Sequence, residues 1–116
     1  MKCFLILEDE PLIAMDLQLA FEDAGHDAVT AVSCEEACEL IDQKDLAGAV
    51  LDVSLGGGQT CEQAARELTK RRIPFVLHTG DLDRAGEYLR NIEAPVIPKP
   101  RPSDDVVRQV LGMVCV

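Results

Sequence analysis

Aromatic residues are scarce in this chain, with no tryptophan, one tyrosine and three phenylalanines among 116 residues. Its core must therefore be packed mainly from Leu, Val, Ile and Ala, a composition that suits layered α/β architecture. Basic residues are also few, 11 against 21 acidic, for a formal charge of −10. That field repels phosphate backbones and anionic membranes, which argues against direct nucleic-acid binding. No apolar run approaches the roughly 20 residues that span a bilayer, so a soluble protein is expected, with no membrane partner. The five cysteines (Cys3, Cys34, Cys38, Cys61, Cys115) show no C-x-x-C spacing, and no hydrophobic leader precedes a cleavage site. A reduced, cytoplasmic setting is the expectation. Cys34 and Cys38 are four apart and could share a helix face as a metal pair, but without nearby histidines small apolar fillers are favoured. The length suits one domain, residues 1–116, without linker or repeat, and Met1 with a compact last helix reads as a complete chain.

What the chain does have is a carboxylate driven out of an apolar run into glycines: Ala49-Val50-Leu51-Asp52-Val53-Ser54-Leu55-Gly56-Gly57-Gly58. A continuous apolar run reads as a strand buried on both faces. Asp52 then sits at the strand's carboxyl end, where open α/β sheets place ligands. On spacing alone, a turn-opening aspartate and a site residue are evenly matched.

The other elements follow in order. Cys3 to Leu7 is a strand ending in Glu8-Asp9-Glu10, a run of anions that reads either as a cation site or as a solvated loop. Pro11 opens a helix to about Ala24, with Leu12, Met15, Leu19 and Ala20 at helical spacing and Gly25 as its stop. Ala28 to Val32 is the next strand. Ser33 and Glu36 form a capping box for a helix from Cys34 to Gln43, with Ala37, Leu40 and Ile41 inward. After the strand Ala47 to Leu51 and the glycine loop, a helix is predicted over Thr60 to Arg71 with Ala64, Ala65 and Leu68 inward. Arg66, Lys70, Arg71 and Arg72 cluster near its end, where they suit the helix dipole. Pro74 to His78 is a fourth strand and Leu82 to Asn91 a short polar helix. Pro95 to Pro98 is a fifth strand whose prolines suit only a sheet edge. Ser103 is expected to cap the last helix, which carries Val106, Val107, Val110 and Leu111 inward. Five alternations of strand and helix predict a parallel sheet covered on both faces.

Four strand ends carry polar or reactive groups: Glu8 and Asp9, Asp52, Thr79, and Lys99. Right-handed crossovers bring all of them to one edge. Carboxylates facing a lysine there suit a hard cation with oxygen ligands, and magnesium fits through one or two carboxylates plus phosphate oxygens. A carboxylate beside such a cation can attack phosphorus and form an aspartyl phosphate. The metal, Lys99 and the Thr79 hydroxyl could share the charge on the phosphoryl oxygens.

Glu8-Asp9, Asp52, Thr79-Gly80 and Lys99-Pro100, in order at strand ends, resemble the receiver domains of two-component response regulators over essentially the whole chain. The resemblance implies a flavodoxin-like, doubly wound, five-stranded parallel sheet of order 2-1-3-4-5 with five helices. It implies Asp52 as phosphoacceptor, magnesium held by Glu8, Asp9, Asp52 and the Ser54 backbone carbonyl, Thr79 as switch hydroxyl and Lys99 as partner of the phosphoryl group. A histidine kinase or phosphotransfer protein would be the donor, another protein the reader of the signal, and the chain would catalyse only its own phosphorylation and dephosphorylation. Phe75 to Asp81 also partly resembles the subgroup whose fourth strand reads Phe-Ala-Thr-Gly-Tyr, a group largely of stand-alone receivers. Leu77-His78 replaces Phe-Ala, and Asp81 stands at the tyrosine position. Val96 occupies the usual aromatic switch position three before the lysine, and Arg101 replaces the usual aromatic after Lys-Pro. Signalling is then expected from rearrangement near Thr79 to Asn91. Asp81 is a candidate to orient the water that hydrolyses the aspartyl phosphate.

His78, adjacent to Thr79 but alternating to the opposite face, is expected to serve packing rather than chemistry, and His26 carries no signal. Gly56-Gly57-Gly58 lacks dinucleotide spacing and reads as a loop beside the acceptor. Three alternatives stand beside the phosphorylation switch: a phosphate sink or relay, a phosphorylation-independent binding module, and a phosphohydrolase. The last wants a second aspartate two residues past the nucleophile, where Ser54 stands.

Overall fold

The computed structural model describes residues 2–53, 60–80 and 94–114. Five parallel strands form one sheet: β1 (Cys3–Leu7), β2 (Asp27–Ala31), β3 (Gly48–Asp52), β4 (Phe75–Thr79) and β5 (Val96–Pro98). Their order is β2-β1-β3-β4-β5, as expected. Four helices lie among the described residues: α1 (Pro11–Asp23), α2 (Cys34–Gln43), α3 (Glu62–Lys70) and α4 (Ser103–Met113). The helix expected over Leu82 to Asn91 falls outside the described residues, as do the glycine loop and Cys115.

Because side chains alternate along a strand, each face of the sheet gathers its own core. On one face Leu5, Leu7, Ala49, Leu51, Val53, Phe75 and Leu77 meet Ala37 and Ile41 of α2 and Ala64, Ala65 and Leu68 of α3. On the other, Phe4, Ile6, Val50, Val76 and Ile97 meet Ala14, Leu17, Ala20 and Phe21 of α1 and Val106, Val107 and Val110 of α4. Phe4 stacks on Phe21 with centroids 4.6 Å apart, a contact worth about 0.5–1.5 kcal/mol beyond burial. The same ring explains Gly48: a Cβ there would lie 3.0 Å from the Phe4 ring. The proline-bearing β5 is an edge strand, as its missing donors require.

The helix boundaries follow local chemistry. The Ser33 hydroxyl accepts from the Glu36 N–H at 3.1 Å, closing one half of the expected capping box. Gly25, at φ 87°, follows α1 in the left-handed region that glycine tolerates. Arg71 does more than complement a dipole: it donates to the Ile41 carbonyl and the Asp42 carboxylate, both at 3.1 Å, and ties α3 to α2. Cys34 and Cys38 are half-buried against the core on that side. Burial, followed by the Cys34 thiol, pushes Cys38 up to about 11, and burial pushes Cys61 up to about 12, so both stay protonated fillers.

Two expectations are corrected. Leu12, Met15 and Leu19 do not face the core but are 73%, 50% and 51% exposed, whereas Ala14, Leu17, Ala20 and Phe21 are buried. Helix α1 carries two apolar stripes, and the one that meets Phe4 and Val110 wins because it continues the sheet's core. Ser103 is the first residue of α4 rather than its cap; Pro102 takes the cap position, and no side chain caps the helix. Lesser shifts are a start at Glu62 for α3 and a β2 that runs from Asp27 to Ala31, whose earlier end leaves Val32 outside the strand and 59% exposed.

Candidate functional site

The carboxyl ends of β1, β3 and β4 and the residue after β5 converge at one sheet edge, and four polar residues there are almost wholly buried: Glu8, Asp52, His78 and Thr79. Burial of ionisable groups is costly, so their partners define the site. Glu8 follows β1, its N–H tied to the Ala31 carbonyl at 3.0 Å, and its Oε1 accepts from the Glu10 N–H at 3.2 Å. Asp52 closes β3. Asp9 is exposed, and one carboxylate oxygen each from Glu8, Asp9 and Asp52 come within 4.8 Å of one another.

Lys99 enters from the opposite side. Its N–H donates to the Thr79 carbonyl at 2.8 Å, and the peptide to Pro100 is cis. Its ammonium lies 3.1 Å from Glu8 Oε2 and 3.3 Å from Asp52 Oδ2, with the side chain only 17% exposed. Burial works to lower the Lys99 pKa, but Asp52 and Glu8 outweigh it and hold the ammonium above its ordinary value. Glu8 feels burial first and then the Asp52 charge. Together they lift it to about 7 against the pull of Lys99. One ammonium therefore does not neutralise this cluster.

That excess of negative charge, made of hard oxygen donors, is the chemistry a divalent cation such as magnesium requires, so the residues present fit such an ion. The arrangement supplies a buried carboxylate at a strand end, a fixed ammonium beside it and carboxylates to complete a cation's ligand set. Thr79 ends β4, 1% exposed and one residue past the partner of Asp52 in the ladder. The structure thus brings together Glu8, Asp9, Asp52 and Lys99, with Thr79 on the adjoining strand. Ser54 and Asp81 lie outside the described residues.

His78 is indeed packed, 3% exposed, but it stands in register with Asp52 on the face where Glu8 and Asp52 also fall. Sequence reasoning compared it only with Thr79. Counting parity from Val76 and Val50 would have found it, since His78 and Asp52 each follow those buried residues by two.

No family model matches the chain. The phyllosphere-induced regulator PhyR of Methylorubrum extorquens is 34% identical over 99 residues, 83% of this chain, and the chain spans only 37% of PhyR's length. The PhyR receiver domain of Erythrobacter litoralis superposes with a TM-score of 0.81 at 25% identity, over 99% of this chain and 93% of that one. A CheY-like response regulator receiver domain protein of Methanospirillum hungatei gives 0.85 at 19% identity, over 98% of this chain and 94% of that one. The receiver domain of a Pseudomonas aeruginosa sensor histidine kinase gives 0.84 at 17%, over 97% of each chain. It was solved with magnesium coordinated in its active-site cleft.

Proposed function

We propose that this chain, which belongs to the receiver domains of response regulators, is a phosphorylation switch. Its receiver domain spans residues 1–116 and acts in the cytoplasm. The observation that carries the proposal is the Lys99 ammonium, 3.3 Å from Asp52 and 3.1 Å from Glu8 within a cluster that holds surplus negative charge. An Asp52 oxygen attacks phosphorus as the donor's phosphorus–nitrogen bond breaks, and the donor histidine leaves with a proton. Lys99, relieved of part of its pairing with Asp52, takes up charge on the phosphoryl oxygens, and the Thr79 hydroxyl donates to them. Glu8, Asp9, Asp52 and the Ser54 carbonyl would hold magnesium, which when bound offsets anionic charge on carboxylates and phosphoryl group alike. Asp81 orients the water that later hydrolyses the acyl phosphate. A histidine kinase or phosphotransfer protein is the donor, and a second protein reads the phosphorylated state.

The test is intact mass after incubation with magnesium and a small acyl phosphate. Wild type should gain one phosphoryl group and Asp52→Asn none. An unlabelled wild type would overturn the proposal in favour of a module that signals by docking alone.

A further inference from the structure

The row that holds Asp52 also holds a histidine that phosphotransfer leaves unused. His78 pairs with Asp52 on one side and Ile97 on the other. Among the described residues neither of its ring nitrogens has a hydrogen-bond partner, and both are sealed from solvent. An unmade buried hydrogen bond costs about 1–3 kcal/mol, so an apolar side chain would fill the space better if filling were the whole task. Burial first, then Lys99 and Arg101, drive the imidazole down to about 4. At neutral pH the ring is uncharged, and one nitrogen offers a lone pair.

Lys99 is the neighbour able to use that lone pair. It follows Ile97 by two, on the same face, and its ammonium reaches Asp52 on β3 and Glu8 beyond β1. Neighbouring strands are about 4.8 Å apart, so the lysine stem reaches across the end of β4, where the His78 ring feels the Lys99 charge. The ammonium now rests on two of the three carboxylates that a divalent cation would use. A cation drawing on those oxygens repels the ammonium and takes its acceptors. With only 17% of the side chain exposed, the freed N–H needs an acceptor from the protein.

We infer that His78 is a positioning residue whose ring nitrogen accepts a hydrogen bond from the Lys99 ammonium when a divalent cation occupies Glu8 and Asp52. The ammonium is thereby kept beside Asp52 instead of swinging to solvent, and an orphaned group in one state becomes a satisfied one in the other. This rests on reading the acidic cluster as a cation site.

The experiment titrates magnesium into the full chain while following its imidazole nitrogens by long-range proton–nitrogen NMR, with calorimetry in parallel. One His78 nitrogen should shift along a saturating curve whose midpoint matches the calorimetric Kd. His26, edge-on to Phe4 at 5.4 Å, should not move. Lys99→Met should bind magnesium and show no shift at His78. His78→Phe, which keeps a ring and removes the nitrogens, should bind magnesium about fivefold to tenfold more weakly, the size of one net hydrogen bond. Magnesium binding that leaves the His78 nitrogens unmoved, or a shift that persists in Lys99→Met, would overturn the inference while leaving the cation site intact. Absence of any magnesium binding to wild type would overturn the cation site, and this inference with it. The spectroscopic arms use wild type and Lys99→Met, so they do not depend on the folding of His78→Phe.

Discussion

The two faces of the sheet use the same strands and end differently. Toward α2 and α3 the last paired row is Leu7, Leu51 and Leu77, apolar across three strands and followed by Val53 and by the uncharged hydroxyl of Thr79. Toward α1 and α4 the apolar rows stop at Ile6, Val50 and Val76, and the next positions are Glu8, Asp52 and His78, with Lys99 reaching over them. Leu51 and Asp52 are consecutive in the chain. The difference teaches that one face anchors the strand ends and ends without a charge, while the other is free to carry the ionisable groups. A slip of one residue in register would exchange the two.

The largest effects should come from breaking this contrast at adjacent residues. Leu51→Ala removes a fully buried side chain and should cost about 2–5 kcal/mol in denaturant unfolding. Asp52→Asn should leave stability without divalent cation equal to wild type or higher, because it removes a charge that repels Glu8. It should also abolish phosphoryl labelling. A loss of stability in Asp52→Asn as large as that in Leu51→Ala would make the polar row a structural element instead.

Next in size is the pH dependence of the polar row. Glu8 ionises near 4.5 when unfolded and near 7 when folded. Between those values the folded state keeps a proton the unfolded state loses, so stability falls as pH rises, by up to about 1.4 kcal/mol per pH unit. His78 does the reverse. Its ordinary value of 6.5 drops to about 4 on folding, so stability rises with pH across that window. The windows overlap from 4.5 to 6.5 with opposite signs, and unfolding of the metal-free wild type should be nearly flat there. His78→Phe should expose the falling slope up to about 7, and Glu8→Gln the rising slope up to 6.5. Flat urea-unfolding curves in both variants would show that neither group carries the charge assigned to it.

Strand order, layers and the meeting of Glu8, Asp9, Asp52 and Lys99 were legible because each strand run is apolar, short and ended by the group that matters. The apolar stripes of α2, α3 and α4 were legible too, since each of those helices offers one apolar face. The face of His78 was within reach of parity, since it follows Val76 by two as Asp52 follows Val50. Its place directly opposite Asp52 was not, because that depends on pairing register between β3 and β4, which no local pattern states. Nor was the inward face of α1, where two apolar stripes compete and only the position of Phe4 across the core decides between them.

That last ambiguity yields the smallest prediction and a sharp one. Leu12 and Leu17 are the same residue type five positions apart on α1, one 73% exposed and the other fully buried on the face that carries the polar row. If the core of that face is Ala14, Leu17, Ala20 and Phe21, Leu12→Gln removes no buried contact and should change unfolding free energy by no more than about 0.5 kcal/mol. Leu17→Ala, measured alongside, should cost about 2–5 kcal/mol, as for other buried leucines. Comparable losses in the two variants would mean that α1 turns its other stripe to the sheet. The contact of Phe21 with Phe4, and with it the packing beneath Glu8 and Asp52, would then have to be redrawn.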